Sequence, residues 1–269
     1  MIKNLFLILT LVSCATSPTG RSQLMLISES KVSAMGIQSF NEMKEKIPIE
    51  KDPEINRYIK CVCDPIIKAQ EGKTNVSEWE VVVFKDASAN AFALPGGKIG
   101  VHTGILKVAE TDSQLATVLG HEVGHVMAHH GAERISQSVL TSIGMTGVNA
   151  FLGGKAMSGE SRQLIMASLG IGATVGILLP YSRTHESEAD QLGLELMAQA
   201  GFDPKQSVVL WENMKKASGG KGPPEFFSTH PAEETRIKNL NFQMPGVLKI
   251  SEQAHKMGNK PHCKRPKNI

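Results

Sequence analysis

Aromatic residues are scarce in this chain, and so is net charge. Phenylalanine, tryptophan and tyrosine supply only 5% of 269 residues while there are 25 glycine residues, which argues against a β-sandwich and for a loop-rich, partly helical protein. The formal net charge is +3, with lysine and arginine spread rather than clustered, so there is no nucleic-acid footprint and no nucleic-acid partner is expected. No internal repeat is present, which excludes a solenoid. Long apolar runs are missing too. Leu5–Val12 is too short to span a bilayer as a mature helix, and Leu164–Pro180, uncharged for 17 residues, only touches the lower limit for a span. Glycines interrupt that second run, so a buried or membrane-grazing helix is the expectation, with a lid over an active site as the alternative. Against these absences, 41% hydrophobic content suffices to bury the core of one domain with appendages.

The first 13 residues read as a targeting segment, with Lys3 as the positive region ahead of the short apolar stretch. It ends in Leu11-Val12-Ser13-Cys14, which matches the bacterial lipobox, whose cysteine becomes lipid-modified and N-terminal. An ordinary signal peptide cut after Ala15 or Ser17 is the alternative. Ala15, where an aspartate would signal inner-membrane retention, favours the outer membrane. The expected organisation is a lipoprotein signal peptide over 1–13, a lipidated tether over 14–28 (flexible at Ser17–Ser22), a peptidase-sized domain over 29–250 and a basic tail over 251–269.

Helical spacing of apolar residues marks Glu29–Lys46 and Pro53–Ala69, the latter with an Ile55–Ile59–Val62–Ile66 stripe and an internal Pro65. Trp79–Phe84 is a β-branched strand. Asn90–Leu94 and Lys98–His102 flank Pro95-Gly96-Gly97 and read as a hairpin. Thr111-Asp112-Ser113-Gln114 then opens a helix over about 112–130 with a capping box. Further helices follow from Tyr181 to Gly201, from Asp203 to Ala217, and after His230-Pro231, where Glu233 and Glu234 suit the first turn. The fold class is therefore α+β and mainly helical, with a small sheet ahead of the 112–130 helix.

That helix carries His121-Glu122-Val123-Gly124-His125. Histidines four apart share a helix face and can bind one metal ion, most plausibly zinc, with Glu122 placed to take a proton from water. His129 continues the series but would stand about 12 Å from His121 along the axis, too far to share the ion. The further pattern H-E-x-x-H-x-x-G-x-x-H also fails, because Ala128 and Gly131 occupy its last fixed places. A catalytic zinc takes three protein ligands, and the acidic cluster Glu186–Asp190 is the best source of the third. Glu186 and Asp190 share one helical face, one to ligate and one to orient a ligating histidine. Glu188 points away and is expected to be dispensable.

Taken together, H-E-V-G-H, then Arg183-x-x-Glu186-x-Glu188-Ala189-Asp190-x-x-Gly193, Asn90-Ala91-Phe92-Ala93-Leu94-Pro95-Gly96-Gly97, and Thr229-His230-Pro231 with Arg236 resemble the metallopeptidase family of BepA, LoiP, HtpX and the CAAX prenyl proteases. The resemblance implies a zincin-type domain with one Zn2+ per chain, held by His121, His125 and Glu186, with Glu122 as general base and Asp190 behind the ligands. It also implies His230 near the metal, polarising substrate or blocking the open position, and Asn90, Ala91, Phe92 and Ala93 as an edge strand for extended substrate. Without a multi-helix membrane domain or a helical-repeat domain, the chain resembles the short periplasmic lipoprotein branch. The implied role is a zinc endopeptidase of the bacterial envelope, lipid-anchored to the outer membrane, acting on misfolded or misassembled envelope proteins. A chaperone-like quality-control factor with secondary proteolysis is the alternative.

With Cys14 assigned to lipid, three cysteines remain. Cys61 and Cys63 sit on diverging faces of one helix and cannot easily bridge each other. Cys63 falls nearer the apolar stripe and Cys61 nearer the surface, so a Cys61–Cys263 disulfide tying the tail to that helix is expected, with Cys63 a small buried thiol.

Overall fold

The computed structural model describes residues 14–146, 182–217, 226, 230, 234–267 and 269. The expected signal peptide and the 164–180 run lie outside them. Two short strands, β1 (Cys14–Thr16) and β2 (Ser22–Leu24), pair antiparallel as a hairpin. Helices α1 (Glu29–Lys46) and α2 (Pro53–Ala69) follow. Next come β3 (Glu80–Phe84), β4 (Ala91–Leu94), β5 (Lys98–His102) and α3 (Asp112–Met127). The rest is helical: α4 (His130–Thr146), α5 (Arg183–Gln199), α6 (Gln206–Ala217) and α7 (Glu234–Lys256). This is the α+β, mainly helical class read from the sequence. Among the described residues no helix is long and apolar enough to cross a membrane.

The three-stranded sheet has order β3-β5-β4, with β5 parallel to β3 and antiparallel to β4. Successive side chains on a strand face opposite ways, and both faces are covered. Val83, Ala93, Ile99 and Val101 join Ile59, Val62 and Ile66 of α2 and Leu115, Leu119 and Val123 of α3 in the main core. Phe84 and Leu94 turn the other way, onto Val32 and Phe40 of α1 and Ala132 and Ile135 of α4. β4 is an edge strand that lies against α3.

The Thr111 side chain accepts from the Gln114 N–H at the N-cap of α3. The capping box is not reciprocal, because the Gln114 side chain accepts instead from the Glu110 N–H. The helix also ends earlier than its spacing suggests. His129 adopts φ 52°, the left-handed region that stops a helix, and α4 starts at His130. α3 and α5 meet backbone to backbone. A Cβ on Gly120 would stand 2.8 Å from the Gly193 carbonyl oxygen, one on Gly124 2.8 Å from that of Ala189, and one on Gly193 2.6 Å from the His121 nitrogen. Only hydrogen fits there, and that close approach carries the acidic face of α5 to the histidines.

Two expectations about the chain's ends change. Ser17–Ser22 is no loose tether but the turn of the β1–β2 hairpin and the first residue of β2. Its Arg21 pairs with Glu133 at 2.7 Å and Glu188 at 2.8 Å, and Gln23 donates to the Ala128 carbonyl at the end of α3. Those partners lie more than 100 residues away in sequence and leave no local pattern. At the other end α7 runs on to Lys256, past the tail boundary at 251. Beyond it the tail is tied down: Cys61 and Cys263 form a disulfide with Cα atoms 5.6 Å apart. Cys63 is a buried free thiol, pushed up in pKa by burial.

Candidate metal centre

His121 and His125 leave one face of α3 and bring their Nε2 atoms to 3.0 Å. Glu186, in the first turn of α5, places Oε2 3.4 Å from His121 Nε2 and Oε1 3.4 Å from His125 Nε2. His230 Nδ1 stands 3.2 Å from His121 Nε2 and 3.0 Å from Glu186 Oε1. All four residues are buried and offer ligand atoms within 4.8 Å of one another. Corners of a tetrahedron with bonds of 2.0–2.1 Å stand about 3.3–3.4 Å apart. The donor spacing of 3.0–3.4 Å therefore fits a small divalent ion, with His230 at the corner a catalytic site leaves open.

With Nε2 directed inward, His121 carries its proton on Nδ1 and donates it to Asp190 Oδ1 at 2.9 Å. Asp190 accepts in turn from Arg236 Nε at 2.7 Å and Nη2 at 2.6 Å. The same guanidinium stands 2.6 Å from Glu186 Oε2 and 4.0 Å over the Trp211 ring. Burial opposes ionisation of Glu186, but the charges of His230 and Arg236 outweigh it and hold the carboxyl well below its usual range. Asp190 is also lowered, burial again being outweighed by Arg236. Burial pulls His121 down, yet its bonds to Asp190 and Glu186 raise it to about 9 in the metal-free protein. At His125 burial wins and the ring is held neutral.

Glu122 lies one residue round the helix from His121. Its Oε2 accepts from the Ala93 N–H at 3.3 Å and its Oε1 stands 3.4 Å from His230 Nε2. Burial pushes this carboxyl up, only partly offset by His230 and His121. The contact with Ala93 brings the expected edge strand to the site. The His102 N–H donates to the Asn90 carbonyl, so by antiparallel alternation Asn90, Phe92 and Leu94 bond inward to β5. Ala91 and Ala93 turn their backbone groups to the free edge.

Glu188 points away from the His121–His125–Glu186 cluster, as its spacing predicts, but it is not idle there: it is buried and accepts from Thr19, from Arg21 Nε at 2.8 Å and from His130 Nε2 at 3.1 Å. His130, fully buried, reaches His125 Nδ1 at 2.8 Å through its own Nδ1. His129 is partly exposed, 3.5 Å from Glu29. Glu188 is two residues from Glu186 and so faces across α5, but the turn after α3 brings His130 and α4 to that side. Sequence spacing on one helix could not reveal that. Arg236 was visible only as part of a motif, without its two carboxylate partners.

Comparison with known proteins agrees with this geometry. The model of Peptidase family M48 matches residues 53–243, from α2 into α7. The chain is 39% identical over 189 residues to the mitochondrial metalloendopeptidase OMA1 of Schizosaccharomyces pombe, covering 70% of this chain and 52% of that protein. It is 32% identical over 264 residues to the mitochondrial metalloendopeptidase OMA1 of Bos taurus, covering 92% and 49%. It is 29% identical over 227 residues to the beta-barrel assembly-enhancing protease of Escherichia coli, covering 81% and 45%. The chain thus spans about half the length of these relatives. With a metal-compatible His/Glu cluster built on an H-E-x-x-H helix inside the span that the family model matches, the chain belongs to Peptidase family M48.

Proposed function

We propose that the protein is a zinc endopeptidase of the bacterial cell envelope. In this reading it is anchored by lipid at Cys14, probes the periplasmic side of the outer membrane, and cleaves misfolded or misassembled envelope proteins. The observation that carries the catalytic part is the convergence of His121, His125 and Glu186 donors at 3.0–3.4 Å, with Glu122 against the edge strand. Two imidazoles and a carboxylate are a common donor set for catalytic zinc. The lipobox and the E. coli relative, named for β-barrel assembly, support the envelope assignment.

Zinc, when bound, supplies a Lewis acid that polarises the scissile carbonyl and acidifies water. The chain supplies the rest. An extended segment adds to the β4 edge through the outward backbone groups of Ala91 and the Ala93 carbonyl, the Ala93 N–H being held by Glu122, a mode that reads backbone rather than sequence. It suits unfolded or exposed stretches. Glu122 accepts the proton of the attacking water and passes it to the leaving amine, and its raised pKa favours that transfer. Asp190 and Arg236 keep His121 in its Nδ1–H tautomer.

His230 favours a regulated form of this activity. Its Nδ1 holds the fourth corner of the donor set, so it must withdraw before water and substrate can enter. In that latent state the protein can engage substrates without cutting them, which is the chaperone-like reading. Metal analysis and casein degradation test the enzyme: Glu122→Gln should bind zinc normally and not cleave, and Glu186→Ala should lose both metal and activity. Near-normal turnover by Glu122→Gln would remove the general base. Fractionation of a Cys14→Ser variant tests the anchor, since loss from the membrane is expected and unchanged membrane association refutes it.

A further inference from the structure

The two histidine ligands are supported differently. His121 donates directly to a carboxylate, Asp190, which Arg236 holds. His125 Nδ1 meets another histidine, His130, at 2.8 Å, and His130 meets Glu188 at 3.1 Å. Glu188 is in turn held by Arg21 of the N-terminal hairpin at 2.8 Å. Each arm ends in an arginine, and the second ends outside the helical body that carries the ligands.

We propose that His130 and Glu188 are positioning residues for the His125 ligand, and that Arg21 locks this array from the N-terminal hairpin. The proton placement follows from chemistry. A metal ligand must present the bare nitrogen, so His125 with Nε2 at the centre carries hydrogen on Nδ1. His130 Nδ1 must then be bare to accept it. The hydrogen of His130 consequently sits on Nε2 and needs an acceptor, which is Glu188 Oε2. Removing Glu188 deletes the acceptor that favours this His130 tautomer. If its hydrogen moves to Nδ1, two N–H groups face each other and His125 is turned from the donor set. Supports behind a ligand of this kind typically contribute 10–100-fold in metal affinity. Arg21 also makes a two-pronged pair with Glu133, at 2.8 and 2.7 Å, and Thr19 donates to Glu188. The segment directly after Cys14 is thereby built into the metal centre.

This inference rests on the metal-centre reading, and the experiment separates their failures. Zinc affinity is measured by chelator competition on the metal-free full chain. The variants are Glu186→Ala, His130→Ala, Glu188→Ala, Glu188→Gln, Arg21→Gln and His130→Ala with Glu188→Ala. If Glu186→Ala keeps wild-type affinity, the metal-centre reading itself is wrong. If Glu186→Ala loses zinc, the positioning array predicts about 10–100-fold weaker binding for His130→Ala and for Glu188→Ala. Because the two act in series, the double variant should cost no more than the worse single. Glu188→Gln retains an oxygen acceptor and should recover much of the loss, and Arg21→Gln should weaken binding less than Glu188→Ala. Cobalt spectra of the loaded variants should show a changed ligand field in His130→Ala, Glu188→Ala and their double variant, and a near-wild-type one in Glu188→Gln and Arg21→Gln. Wild-type affinity in the alanine variants, or additive losses in the double variant, overturns the proposal. If one alanine variant fails to fold, the other single alanine variant carries the same prediction of about 10–100-fold, and wild-type affinity in it overturns the proposal.

Discussion

Replacing Arg236 by leucine should test the electrostatic frame of the site more severely than any ligand change. Arg236 is 3% exposed and closes ion pairs of 2.6 Å to both Glu186 and Asp190. Its removal leaves Asp190 buried without its main counter-charge and Glu186 without the guanidinium that adds to His230. Breaking a buried pair from one side costs about 3–5 kcal/mol, and the lost stacking on Trp211 adds to that. At 2–4 °C per kcal/mol for domains of this size, the metal-free variant should melt roughly 6–20 °C below wild type at pH 7 by circular dichroism. The pH dependence has a definite sign. Both carboxyls lie below their ordinary pKa in the folded protein. Their contribution is therefore present above their unfolded values near 4 and is lost as pH falls through the folded ones. The gap between wild type and variant should narrow below about pH 4. Adding Asp190→Asn to the variant should restore part of the stability by deleting a buried charge that keeps only His121 as its partner. A shift under about 2 °C at pH 7, or a gap that widens in acid, refutes the reasoning.

Three other outcomes are expected. His230→Ala should raise casein turnover if the ring blocks the fourth corner; a fall of roughly 10²–10³-fold would instead make it a stabiliser of the developing oxyanion, and no change would leave it without a role. Cys61→Ser opens a loop spanning 202 residues, so the chain-entropy relation gives a loss of up to about 5 kcal/mol, visible as a lower urea midpoint that reducing agent does not lower further. Glu188 is held below its usual pKa because bonds to His130, Ser17, Thr19 and Arg21 outweigh burial. Its stabilisation is thus present above about pH 4.3 and lost in acid, so Glu188→Gln should be less stable than wild type at pH 7 and show a flatter acid limb; parallel pH curves would contradict this.

Local chemistry determined a large part of this protein from sequence alone. The apolar stripe of α2, the N-cap at Thr111 and the Pro95-Gly96-Gly97 hairpin are all contacts between residues a few positions apart, and periodicity reports such contacts directly. The same locality makes His121, Glu122 and His125 legible, because four residues of helix return a side chain to the same face. Cys61 and Cys63 could be told apart for that reason, by which side of α2 each occupies.

Tertiary structure decided what depended on distant segments meeting. The parallel pairing of β3 with β5 leaves no signature in either strand. Glu188 looked idle because only its own helix was visible, whereas its partners are Arg21, 167 residues before it, and His130, 58 before it. The break at His129 that lets His130 reach His125 is a left-handed turn in a residue without glycine's freedom, so nothing in the spacing announced it. Arg236 reaches Asp190 from 46 residues away, and His230 reaches His121 from 109. A helix dictates which side chains share its face; only the packing of α3 against α5, at glycines that allow backbone contact, dictates what that face will meet.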